Sequence, residues 1–124
     1  MGDIKRDMAM ERMETKDSVV EAIEGLQLVI HANAVNHGWW DGDQNDAEKI
    51  CLMHSELSEA LEAMREGNPD SDKIAFSSVE EELADCVIRI LDYAGKRRLD
   101  IAGAILAKHE YNLTRPYKHG GKRF

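Results

Sequence analysis

Apolar residues recur at intervals of three and four along four successive segments of this chain, and no segment alternates apolar with polar as a half-buried strand does. A chain patterned this way must bury helical stripes against one another, so the expected class is all-α, a four-helix bundle. Each segment carries its own punctuation. The first opens at Ser18, with Glu21 in capping-box spacing, and its stripe runs Val19, Ile23, Leu26, Ile30 and Ala34 to a stop at Gly38. The second starts at Asn45, with Glu48 three residues on, and runs to Glu66, where Gly67-Asn68-Pro69-Asp70 ends it. Its expected core stripe is Ile50, Met53, Leu57, Leu61 and Met64. The third begins near Ser78 with Glu81 and continues to about Gly95, followed by Lys96, Arg97 and Arg98, which suit a helix C-terminus. The fourth runs from Asp100 through Ile101, Ile105 and Leu106 to about Leu113, and Pro116 closes it. Residues 1–16 carry no sustained apolar stripe and are expected to be a flexible lead-in, leaving 17–124 as one domain.

Bulk properties narrow the class of partner. No stretch approaches the roughly 18 consecutive apolar residues of a membrane span, and the charged N-terminus has no apolar core of a secretory signal, so the expected location is the cytoplasm. Cys51 and Cys86 lie inside apolar stripes without CxxC spacing and read as small buried hydrophobes. The net charge of −8 opposes nucleic-acid binding, which depends on Lys and Arg neutralising phosphates. The last stretch is different: Lys108, Arg115, Lys118, Lys122 and Arg123 face a single acid, Glu110. Such a basic tail is either a solubilising end or a set of groups that meets a polyphosphate.

The candidate chemistry lies in paired carboxylates. Glu56 and Glu59 on the second helix, and Glu82 and Asp85 on the third, are each spaced by three residues, which puts both members of a pair on one face. Two such pairs on facing helices surround a cavity with hard oxygen ligands, the environment that Mg²⁺ or Mn²⁺ prefers. One Glu-x-x-Glu alone is common on wet helix faces, but Glu56 and Glu59 share theirs with Leu52, Ala60 and Ala63 rather than with Lys and Gln. On the third helix, apolar residues from Leu83 to Ala94 cover nearly every direction except the stripe Glu82, Asp85, Arg89 and Asp92. That stripe faces either water or an internal cavity, and pattern alone leaves both open. Arg89, four residues after Asp85, is placed to hold that carboxylate.

Rival metal motifs fail. None of the five histidines follows a Glu by three residues, as a di-iron bundle requires. Asp41-Gly42-Asp43-Gln44-Asn45 begins like an EF-hand loop, but Asp46 stands where Gly is needed and Leu52 where Glu is needed, so the segment is a turn and cap. No GxxxxGK phosphate loop occurs. Adjacent Trp39 and Trp40 before the second helix are either core plugs or a flat surface for a base. His54 is expected to pack beside the acids and Tyr93 in the core.

With these residues in place, the sequence resembles the MazG-like nucleoside triphosphate pyrophosphohydrolases, over about residues 30–124. The resemblance rests on the blocks Leu52-Met53-His54-Ser55-Glu56-Leu57-Ser58-Glu59-Ala60-Leu61-Glu62-Ala63 and Val79-Glu80-Glu81-Glu82-Leu83-Ala84-Asp85, which carry paired ExxE and ExxD motifs. A third block comprises Lys108, Asn112 and Arg115, followed by Pro116 and His119-Gly120. The resemblance implies that Glu56, Glu59, Glu82 and Asp85 hold Mg²⁺, with Mn²⁺ as a substitute, and that (d)NTP is hydrolysed to (d)NMP and pyrophosphate by a metal-activated water. Glu59 is the choice for general base. Lys108 and Arg115 would offset polyphosphate charge and Asn112 would donate a hydrogen bond, although spacing alone reads Lys108 and Asn112 as an exposed pair. The resemblance also implies a homodimer or homotetramer, for which the nearly all-round apolarity of the third helix is an independent reason. Two other classes remain open: a catalytically silent nucleotide-binding module, and an oligomeric helical scaffold whose acids are merely solvated.

Overall fold

The computed structural model describes residues 2–121 and 123, and for residues 2–14 and 119 the backbone alone. Among these the chain is all-helical: α1 (Gly2–Asn36), α2 (Asp46–Arg65), α3 (Ser78–Arg97), α4 (Ile101–Leu113) and a single turn, α5 (Lys118–Gly121). No strand forms among them, only an isolated bridge between Asp70 and Ser77. No helix of the described residues is long and apolar enough to cross a membrane.

The first helix departs from expectation. It begins at Gly2, so Ser18 is an exposed interior residue and not a cap. Between Gly2 and Ser18 stand mostly Lys, Arg, Met, Ala and Glu, good helix formers with no Pro or Gly to stop them, so the helix includes the segment read as a lead-in. Its other end is as expected: Gly38 takes φ +77°, and the amides of Gly38 and Trp39 bond back to Val35 and Ala34 at 3.0 and 3.1 Å, a Schellman closure.

The contacts divide the chain into two units, residues 26–99 and residues 1–25 with 100–124. In the first, α2 and α3 pack as an antiparallel pair. Asn45 caps α2, its side chain accepting from the Glu48 amide at 3.1 Å, and Gly67 (φ +84°) ends it with the Asn68 amide bonded to Ala63 at 2.7 Å. α3 starts at Ser78 as expected, but its cap is the residue before, Ser77 forming a reciprocal capping box with Glu80 rather than Ser78 with Glu81. Arg97 at the end of α3 holds Asp46 at the start of α2 at 2.7 Å, and Arg89 reaches Glu56 one stretch further along, as antiparallel helices require.

The face that α2 buries is not the expected one. Glu56, Ala60 and Ala63 are buried, whereas Ile50, Leu57, Leu61 and Met64 of the expected core stripe are exposed. Small Ala60 and Ala63 let α2 approach α3 closely, where Cys86, Leu91 and Ala94 are buried. α3 is likewise turned: Leu83, Val87 and Ile88 are exposed while Asp92 is buried. Of the cysteines, Cys86 is buried and Cys51 is exposed, against the reading of both as core residues. Gly95 of α3 lies directly against α1, since a Cβ there would stand 2.8 Å from His31 Cβ.

In the second unit, Asp100 caps α4 by accepting from the Gly103 amide at 2.9 Å, and α4 ends at Leu113 as read from the sequence. Lys16 of α1 forms an ion pair with Glu110 of α4. Of the basic tail, Lys122 and the His119 side chain lie outside the described residues.

Candidate acidic site and adjoining cavity

The polar stripe of α3 faces inward, which answers the question its pattern left open. Glu82, Asp85 and Arg89 are half-buried and Asp92 is buried, whereas Leu83 and Val87 take the wet side. Carboxylate oxygens of Glu56, Glu59 and Glu82 lie within 4.8 Å of one another, and those of Glu81, Glu82 and Asp85 form a second group of the same span. Glu82 belongs to both. The four acids read from the sequence thus gather along one seam between α2 and α3, with Asp85 joined through Glu82. Glu81 is an addition that the run of three glutamates did not single out; it is half-buried, accepts from the Ser71 hydroxyl and has the Lys73 ammonium at 3.9 Å.

Glu56 is the innermost acid, 6% exposed. Its Oε1 accepts from Arg89 Nε at 2.8 Å, so Arg89 holds Glu56 across the helix pair rather than Asp85 on its own helix. Its Oε2 is buried and has no hydrogen-bond donor among the described residues. An acceptor left this way costs about 1–3 kcal/mol, more when charged, unless a proton or a cation is shared with it. Burial, then the neighbouring Glu59 and Glu56, push Glu82 up from 4.5 to about 7. Burial, then the charges of Glu56 and Glu81, also raise Asp85 above its ordinary value. Burial alone would raise Glu56, but hydrogen bonds with Arg89, Glu82 and Glu59 together outweigh it and leave that carboxyl below its ordinary value. Raised Glu82 and Asp85 are the mark of like charges crowded in a partly buried all-oxygen cluster, a donor set that suits a hard divalent cation.

Beside the acids lies a cavity of about 350 Å³ between the end of α1, the Trp39-Trp40 turn, α2 and α3. Its walls include Ile30, Ala34, Ile88 and Tyr93, and its polar groups include Lys49, Asp85, Arg89 and Asp92. Trp39 and Trp40 both line it but differ: Trp39 is exposed, whereas Trp40 is buried and donates Nε1–H to both oxygens of Asp92, at 2.9 and 3.1 Å. Lys49 Nζ stands 4.3 Å from the Trp40 ring centroid. His31 Nδ1 meets Asp92 Oδ1 at 2.8 Å. The sequence reading passed over His31, which lies on α1, and Lys49, in the first turn of α2, because neither belongs to a local motif that would mark it. Tyr93 is half-buried on the cavity wall, and His54 is exposed rather than packed.

Lys108, Asn112 and Arg115 belong to the other unit, on and just after α4. Lys108 Nζ and Arg115 Cζ lie 4.5 and 5.5 Å from the ring centroid of Tyr111, so that ring carries two cations. Compared with protein-family models, curated proteins and solved structures, the chain finds no match.

Proposed function

We propose that this chain is a Mg²⁺-dependent nucleoside triphosphate pyrophosphohydrolase of the MazG-like kind, cleaving (d)NTP to (d)NMP and pyrophosphate. The observation that carries this reading is the inward-facing acidic seam in which buried Glu56 Oε2 has no donor. A purely structural cluster of like charges would be costly there, and a divalent cation removes the cost. Glu56, Glu59, Glu82 and Asp85 are the proposed ligands, Mn²⁺ being able to replace Mg²⁺. When bound, the ion supplies Lewis-acid polarisation of phosphate oxygens and lowers the pKa of water. Glu59, the exposed member of its group, is the proposed general base for an attacking water, whereas Glu56 is held by Arg89. Trp39 and Trp40 line a cavity that also includes Asp85, which puts a flat apolar wall beside an acid of the seam. Lys108, Asn112 and Arg115 are the proposed phosphate contacts. The exposed apolar faces of α2 and α3 support a homo-oligomer, since Leu57, Leu61, Leu83 and Val87 are left exposed by the described residues.

A catalytically silent nucleotide-binding or scaffold protein is the second reading, favoured by the Arg89 ion pair, which already neutralises one charge of the seam. Incubation with each common NTP and dNTP, with and without Mg²⁺, separates the readings. Pyrophosphate as the first product, only with metal, is expected. Orthophosphate as the first product rules out cleavage between the α and β phosphates, and no product from any triphosphate favours the silent protein.

A further inference from the structure

The buried carboxylate of Asp92 has no part in the proposed metal chemistry. It lies on the cavity wall, on the same face of α3 as Asp85 and seven positions beyond it. That is about 10 Å of helical rise, comparable to the reach of a nucleotide from its 5′-phosphate to the far edge of its base. Asp92 is also oriented. Trp40 Nε1 donates to both of its oxygens, and His31 Nδ1, facing a carboxylate, must be the protonated nitrogen and donates to Oδ1. A carboxylate has about four acceptor sites. Oδ1 has used two and Oδ2 one, so one acceptor site on Oδ2 remains, on a side chain only 12% exposed.

We propose that Asp92 is a specificity-determining residue that selects nucleotides whose base carries an exocyclic amino group, and disfavours uracil and thymine. The inference rests on the proposed nucleotide chemistry of the adjoining site. An amino group projects beyond the ring and reaches a recessed, singly available acceptor. The imide N–H of uracil or thymine lies back between two carbonyl oxygens, and bringing it to Asp92 forces those oxygens against a carboxylate. The N–H groups of Trp40 Nε1 and His31 Nδ1 are both spent on Asp92, so neither is left to donate to a carbonyl brought to this point. Trp39, on the cavity wall, offers the base its ring face.

Calorimetric titration of the full chain in Mg²⁺ with cytidine 5′-monophosphate and with uridine 5′-monophosphate compares two ligands of equal size that differ in this edge. Cytidine monophosphate should bind at least about tenfold more tightly, the scale of one hydrogen bond to a charged acceptor. Equal binding, tighter uridine monophosphate, or binding of neither overturns the proposal. Asp92→Asn, whose amide presents a donor as readily as an acceptor, should bring the two within about threefold while leaving Mg²⁺ binding unchanged; a preference that survives in folded Asp92→Asn also overturns it. The titration involves no turnover, so the parent reading fails separately, through absence of pyrophosphate from every triphosphate.

Discussion

Glu56 and Glu82 set the energetics of the seam from opposite directions. Glu82, raised to about 7, holds a proton in the metal-free fold that the unfolded chain has released by then. Its cost to stability is absent below pH 4.5, grows between pH 4.5 and 7, and is complete above that window. Asp85, also raised, acts in the same sense. Glu56, lowered, contributes stability that is present above its ordinary value and lost as the pH falls below it. A bound divalent cation favours all of these groups ionised, so it relieves the cost of Glu82 and Asp85 where that cost is greatest. Mg²⁺ should therefore raise the Tm more at about pH 8 than at about pH 5.5, measured by differential scanning calorimetry in saturating metal. An equal or smaller shift at the higher pH would contradict the placement of the cation among these carboxylates.

At the scale of elements, close approach governs what α2 and α3 bury. Small residues at Ala60, Ala63 and Ala94, and the absence of a side chain at Gly95, let three helices meet with charged groups between them. Gly95→Ala tests this, because helix propensity alone favours Ala by about 1 kcal/mol. The added Cβ would lie 2.8 Å from His31 Cβ and 2.9 Å from its Cγ, atoms near the backbone that cannot swing aside. Urea unfolding should show a loss of about 1–3 kcal/mol instead of a gain, and a gain would mean that α1 and α3 are further apart than described. The same packing explains what was legible in the sequence. Caps at Asn45 and Asp100 and the stop at Gly67 are local chemistry, and they lie where the residues place them. Periodicity reads Ile50, Leu57, Leu61 and Met64 as the core face of α2, but which face is covered depends on the neighbour, and these four are exposed. Glu56, Ala60 and Ala63 won that contact over Ile50, Leu57 and Leu61. Spacing grouped Glu56 with Glu59 and Glu82 with Asp85, whereas Arg89 pairing with Glu56, and His31 and Trp40 gathering on Asp92, are contacts between distant segments that no local motif encodes.

At the scale of the molecule, the α2–α3 pair buries Glu56 and Asp92 among small apolar residues while Leu57, Leu61, Leu83 and Val87 are exposed, a partial inversion of an ordinary lone helical hairpin. The inversion has a single rationale if the inner acids hold a cation and the outer leucines and valines meet further copies of the chain. The two halves of that rationale are separable, and the acidic seam is the more consequential. Its most direct test is the rate of pyrophosphate release from a nucleoside triphosphate by wild type, Glu59→Gln and Asp85→Asn, with and without Mg²⁺, in protein shown by circular dichroism to be folded. Wild type should release pyrophosphate only with Mg²⁺, and each variant should be slower by at least about tenfold, because an altered ligand misplaces the metal. Folded variants that turn over at close to the wild-type rate would contradict the assignment of these carboxylates as the site.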